Sequence, residues 1–109
     1  MASTLSVRLV SAEKEVFKGD AASVVAPAWD GSVGILPDHA AFITLLGHGE
    51  FAVDLPGGGS NRYYVAGGVL KVEGNDLTAL VEYAGEGPPE QLPQEADFHP
   101  EELAEEAQS

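Results

Sequence analysis

Gly34-Ile35-Leu36-Pro37-Asp38-His39-Ala40-Ala41-Phe42-Ile43 joins two apolar runs through a proline. Pro37 has no N–H to give a sheet ladder and holds its φ near −65°, so the chain must leave the sheet there. Asp38 and His39 fall at the apex of a stiff connection, where a polar side chain is better placed to meet a partner than to pack. The fold is therefore read as strands on either side of this corner.

Upstream, Leu5, Val7 and Leu9 alternate with Ser6 and Arg8, the period of two of a half-buried strand. Ser11-Ala12-Glu13 ends it, Glu15-Val16-Phe17-Lys18 resumes, and Gly19-Asp20 closes a hairpin partner. Ser23 to Ala26 forms a third strand whose Pro27 marks an edge or a bulge. Trp29-Asp30-Gly31-Ser32 supplies the Asp-Gly of a tight turn.

Downstream, Ala41 to Leu46 is apolar on both faces, as in the middle of a sandwich. Gly47-His48-Gly49 reads as a turn, Phe51 to Leu55 as a strand, and Pro56-Gly57-Gly58-Gly59-Ser60 as a hairpin loop. Arg62 to Val65, Val69 to Glu73 and Leu77 to Glu82 complete the set, the last two joined by Gly74-Asn75-Asp76. The expectation is all-β, a flattened antiparallel β-sandwich of about ten strands.

Two segments differ in character. Residues 1–84 form the sandwich domain, and 85–109 a proline-rich acidic tail, expected to be mostly disordered. Ten acidic and five basic residues lie in 1–83, against eight acidic and none basic in 84–109, within a total of −13. Such a field repels nucleic acid and anionic membrane surfaces and favours a basic protein partner. With no cysteine, disulfides, thiolate metal sites and cysteine nucleophiles are excluded. No run approaches the roughly 20 apolar residues of a membrane span, and no signal peptide opens the chain. The protein is expected to be soluble.

Chemistry is sparse. Ser60 with His39 or His48 lacks the elbow of a nucleophilic serine. His39, His48 and His99 with Asp38 and Glu50 match no metal-ligand spacing. Gly57-Gly58-Gly59 is followed by no lysine or helix start, so it is no phosphate loop. His39 has two readings, a turn residue bonding its own backbone or a partner contact. Trp29 either packs over the end of the sandwich or anchors an interface. Ala66-Gly67-Gly68 is either a bend or a place where another backbone comes close. No catalytic residue, cofactor or metal is expected.

Four segments carry a resemblance: Leu9 to Glu13, Val16 to Gly19, Asp30 to Ala40, and Tyr64 to Val72. In order and spacing they resemble the epsilon subunit of F-type ATP synthases, over about residues 3–84. The resemblance implies a non-catalytic rotor subunit in the central stalk that couples ion flow to ATP synthesis. It would sit peripherally on the cytoplasmic face of the cell membrane, with the gamma subunit and the c-ring as partners.

The implied c-ring contacts are Asp30, Gly31, Ser32, Val33, Pro37, Asp38, His39, Ala40, Ala41 and Phe42. For the gamma side, alternation suggests Val10, Phe42, Leu46 and Leu80. Many members carry a carboxylate where this chain has Ser32, which passes the acidic role to Asp30 or Asp38. Most bacterial members continue into two antiparallel helices that can block hydrolysis. The stretch 85–109 lacks their length and amphipathic pattern, so a short epsilon without the helical brake is expected. The alternative function is a free-standing sandwich that binds a peptide or sugar.

Overall fold

The computed structural model describes residues 3–88, and the readings of the acidic tail beyond Pro88 and of His99 lie outside them. Seven strands form one continuous sheet: β1 (Leu5–Ser11), β2 (Glu15–Ala21), β3 (Ser23–Ala28), β4 (Gly31–Ile35), β5 (Phe42–Asp54), β6 (Ser60–Glu73) and β7 (Asp76–Gly85). Their order is β2-β1-β7-β6-β5-β3-β4. The all-β sandwich class holds, with two differences in detail.

The first is the strand count. Gly47-His48-Gly49 is not a turn, and Ala66-Gly67-Gly68 does not end a strand. β5 and β6 run through both segments in one antiparallel register from Phe42↔Val72 to Asp54↔Ser60. Four expected short strands are thus two long ones.

These long strands must bend, because the connections forbid a straight ladder. Ile35 lies across from Val24, and Val24 across from Val53 near the far end of β5. The chain returns to the start of β5, at Phe42, only seven residues after Ile35, a reach of at most about 25 Å. A straight β5 would place Phe42 about 36 Å from Val53. The ladder therefore folds over and brings its two ends together as layers.

The corner is visible in the pairing with β3. From Val25↔Ala52 to Ala28↔Leu46, three steps on β3 face six on β5. The excess falls at Gly47-His48-Gly49, opposite Pro27, which is buried at this bulge. Gly49, Gly67 and Gly68 have φ of 155°, 69° and 149°, values that L side chains resist. They let the inward face change. On β5 the inward positions pass from Phe42, Thr44 and Leu46 to Phe51 and Val53; on β6, from Tyr63 and Val65 to Leu70 and Val72.

The second difference is one parallel pair, β1 with β7. Almost the whole domain separates these strands in sequence, so no hairpin constrains their direction. Leu5, Val7 and Leu9 of β1 face the core as their alternation predicts, alongside Leu77 and Ala79, Phe51 and Val53, and Val24 and Ile35. Among the described residues no polar side chain is buried. The interior is filled with apolar groups.

Candidate interaction site

The corner quoted at the outset is a turn with a defined geometry. The His39 N–H donates to the Leu36 carbonyl at 3.2 Å, Pro37 sits at the second position, and Asp38 at the third has φ 69°. That is a type II β-turn, with aspartate where glycine or asparagine is usual. The Asp38 N–H donates to Asn75 Oδ1 at 2.7 Å, and Asn75 Nδ2 donates to Asp38 Oδ1 at 3.3 Å. His39 Nδ1–H donates to the Ala40 carbonyl at 2.9 Å. Its ring lies tilted against Phe42, centroids 5.0 Å apart. His39 is thus the backbone-bonding turn residue of the first reading, and its side chain is still exposed.

A second tip arrives beside this turn. β3 and β4 join through Trp29-Asp30, with Ala28 across from Gly31. The Trp29 N–H donates to the Leu45 carbonyl at 3.0 Å, three positions along β5 from Phe42. Trp29 is 68% exposed, so it does not pack over the end of the sandwich. Asp30, Gly31, Ser32, Asp38, His39, Ala40 and Ala41 are exposed, while Val33, Pro37 and Phe42 are half-buried. Neither Asp30 nor Asp38 takes part in an ion pair among the described residues. This end is an acidic, polar corner.

The outer face of the sheet is different. Leu45 pairs with Val69, Val69 with Leu80 and Leu80 with Val10, an apolar row over four adjacent strands. Directly paired residues project from the same face. Leu45 is 58% and Leu80 54% exposed, and Ile43, two residues before Leu45, is exposed as well. A contiguous apolar surface on a domain whose core is already complete marks a docking face.

The four residues expected on the gamma side differ in exposure in the free chain. Leu80 and the half-buried Val10 belong to the row. Leu46 does not: it is 5% exposed and part of the core. Phe42 is half-buried, packed against that core. Ile43, Leu45 and Val69 are the exposed apolar residues beside Leu80 on that face. The run from Ala41 to Leu46 is apolar at every position but Thr44, so its sequence does not disclose which phase points inward. Val69 is absent from the expected set, although its alternation with the buried Leu70 is a local signal for an outward position.

No reacting centre is assembled among the described residues. Ser60 pairs with Asp54 and His48 with Ala66, and Glu50 pairs with Arg62 at 3.1 Å. No group of three or more histidine, cysteine, aspartate or glutamate side chains is placed to hold a metal.

These features define a class: an all-β domain with a polar, acidic corner and an exposed apolar outer face. The chain belongs to the family described as ATP synthase, delta/epsilon chain, beta-sandwich domain, whose sequence profile matches residues 4–87. It is 43% identical over 84 residues to the ATP synthase epsilon chain of Nitrosococcus oceani, covering 77% of this chain and 60% of that protein. To the epsilon chain of Alkalilimnicola ehrlichii it is 42% identical over 82 residues, covering 75% and 59%. The chain thus spans about three-fifths of the length of these relatives.

Its fold is similar to a chain in the Euglena gracilis mitochondrial ATP synthase, in the structure of OSCP/F1/c-ring in rotational state 1. There the TM-score is 0.71 at 20% identity, covering 74% of this chain and 52% of that one. A chain of the Tetrahymena thermophila mitochondrial ATP synthase central stalk/c-ring matches with TM-score 0.64 at 19% identity, covering 77% and 67%.

Proposed function

We propose that this chain is a non-catalytic rotor subunit of an F-type ATP synthase, joining gamma to the c-ring and helping to couple ion flow to ATP synthesis. The observation that carries this reading is the outer row Val10–Leu80–Val69–Leu45. A rotor foot needs a permanent partner on one face, and permanent interfaces are apolar and well packed. The row faces gamma. The corner of Asp30 to Val33 and Pro37 to Phe42 faces the polar loops of the ring, where its carboxylates favour a basic partner. A folded-over sheet with a filled interior resists compression, which suits a part that transmits torque. Family membership and the named assemblies of its structural neighbours support the same assignment.

In this reading the subunit lies peripherally on the cytoplasmic face of the membrane, and it has no brake in 85–109. The large apolar residues there are Leu92, Phe98 and Leu103, which form no helical stripe. The direct test is capture of purified gamma by this chain, repeated with Leu80→Asp. Binding by the wild type and its loss in a folded Leu80→Asp variant is the expected result. Failure of the wild type to bind gamma, or an unaffected Leu80→Asp variant, would overturn the proposal.

A further inference from the structure

Asn75 is half-buried in the two-residue loop Gly74-Asn75 between β6 and β7, where Glu73 pairs with Asp76. Gly74 has φ 65°, as the first central residue of a type II′ hairpin requires. The loop is itself fixed, because the Ser6 N–H of β1 donates to the Asn75 carbonyl at 2.7 Å. From this platform the side-chain amide reaches across 37 positions of sequence and grips Asp38 twice, at the backbone N–H and at the carboxylate. Outside the sheet ladders, and among the described residues, these are the hydrogen bonds that tie 36–41 to another element.

The grip has a clear physical purpose. The second central N–H of a type II turn points away from the turn and has no partner within it. Aspartate in the left-handed region is tolerated but disfavoured. Left alone, the turn would exchange with other conformers.

We infer that Asn75 is a positioning residue for the ring-facing corner: it holds the Leu36–His39 turn in the one arrangement that presents Asp38, His39 and Ala40 to the c-ring. This rests on the ring-contact reading above. Asn75 need not touch the ring. It raises the population of the competent conformer, and apparent affinity falls in proportion when that population falls.

The test uses the full chain, detergent-purified c-ring and purified gamma, with Asp38 amide exchange followed by NMR. Asn75→Ala removes both bonds, Asn75→Asp faces one carboxylate with another, and Asp38→Asn/Asn75→Asp rebuilds the pair with donor and acceptor exchanged. Asn75→Ala is expected to speed Asp38 amide exchange about tenfold and weaken ring binding roughly five- to tenfold, a loss typical of hydrogen bonds at this scale. Gamma binding should stay within about twofold, Asn75→Asp should be worse for the ring, and the exchanged pair, which alters a ring-facing residue, should restore slow amide exchange at position 38.

Unchanged ring binding in Asn75→Ala overturns the inference and leaves the rotor assignment standing. Parallel loss of ring and gamma binding, or an exchanged pair whose position-38 amide still exchanges fast, also overturns it, by reducing Asn75 to general support of the fold. If the wild-type chain binds no ring, the ring-contact reading falls, and this inference with it.

Discussion

Gly68 of β6 and Leu80 of β7 meet backbone to backbone: a Cβ on Gly68 would run into the Leu80 carbonyl oxygen and stand 2.8 Å from the Val81 Cα. The close approach lies beside the fold line, where the long ladder turns from one layer to the other. It also underlies the apolar outer face, since Leu80 is an exposed member of the row between Val10 and Val69. The two readings of Ala66-Gly67-Gly68 are thus both realised, a bend and a close backbone contact.

Gly68→Ala should therefore be among the most damaging single changes. The added methyl has backbone on its far side and φ is 149°, so neither a rotamer change nor a small shift relieves it. We expect a loss of about 3 kcal/mol or more, from overpacking and backbone strain together. Gly34→Ala is the control. Nothing lies within 4 Å of its Cβ position and its φ is not positive, so stability should hold or rise by about 0.5 kcal/mol. Urea unfolding of both variants measures the difference.

Leu45 and Leu46 are adjacent in sequence and opposite in role. Leu46→Ala empties a buried site and should cost about 2–4 kcal/mol. Leu45→Ala removes an exposed side chain and should stay within about 0.5 kcal/mol in the free chain. In the gamma complex the order reverses: Leu45→Ala should weaken binding by about tenfold, since an interface core residue contributes through desolvation. Thermal melts paired with gamma titration check both halves.

How far the sequence discloses this architecture depends on the range of the interaction that decides each part. Leu5, Val7 and Leu9 face the core as their local alternation predicts, because one strand with one buried face is a local pattern. The turn at Pro37 is equally local. Gly47-His48-Gly49 is not. Glycine permits a turn and a corner alike, and the choice is made by β3, which pairs with Ala52 and then with Leu46 and spans the corner. The inward position of Leu46 is set by the same distant partner. Asn75 gives no local sign of its role, since Gly-Asn reads as an ordinary hairpin loop and its ligand lies 37 positions away.

Asp30 and Asp38 share a sign and differ in freedom. The Asp38 carboxylate accepts from Asn75, whereas Asp30 stands at the exposed tip of the β3–β4 hairpin. In the proposed assembly Asp30 is thus the better candidate for a charge partner on the ring. Asp30→Asn should slow ring association several-fold at low salt and flatten its salt dependence, because exposed charges act mainly on encounter and are screened within about 10 Å at 0.1 M salt. Asp38→Asn keeps an acceptor for Asn75 and should change the rate less. Association kinetics at two ionic strengths separate the two carboxylates.

The acidic tail offers a final test, and the structure fixes where to cut. Tyr83 Oη–H donates to the Gly87 carbonyl at 2.8 Å, so Gly87 belongs to the folded unit although β7 ends at Gly85. Cutting after Glu86 would free the Tyr83 hydroxyl and lose about 1 kcal/mol. Cutting after Pro88 retains that bond and removes seven acidic residues and no lysine or arginine. The shorter chain repels itself less, so its melting temperature should hold or rise slightly. In the proposed assembly, a motor carrying the shorter chain should hydrolyse ATP as fast as one carrying the uncut chain, since a segment without an apolar stripe has nothing to bury against the catalytic head. A several-fold rise in hydrolysis after this cut would show that the tail restrains the motor through its charge.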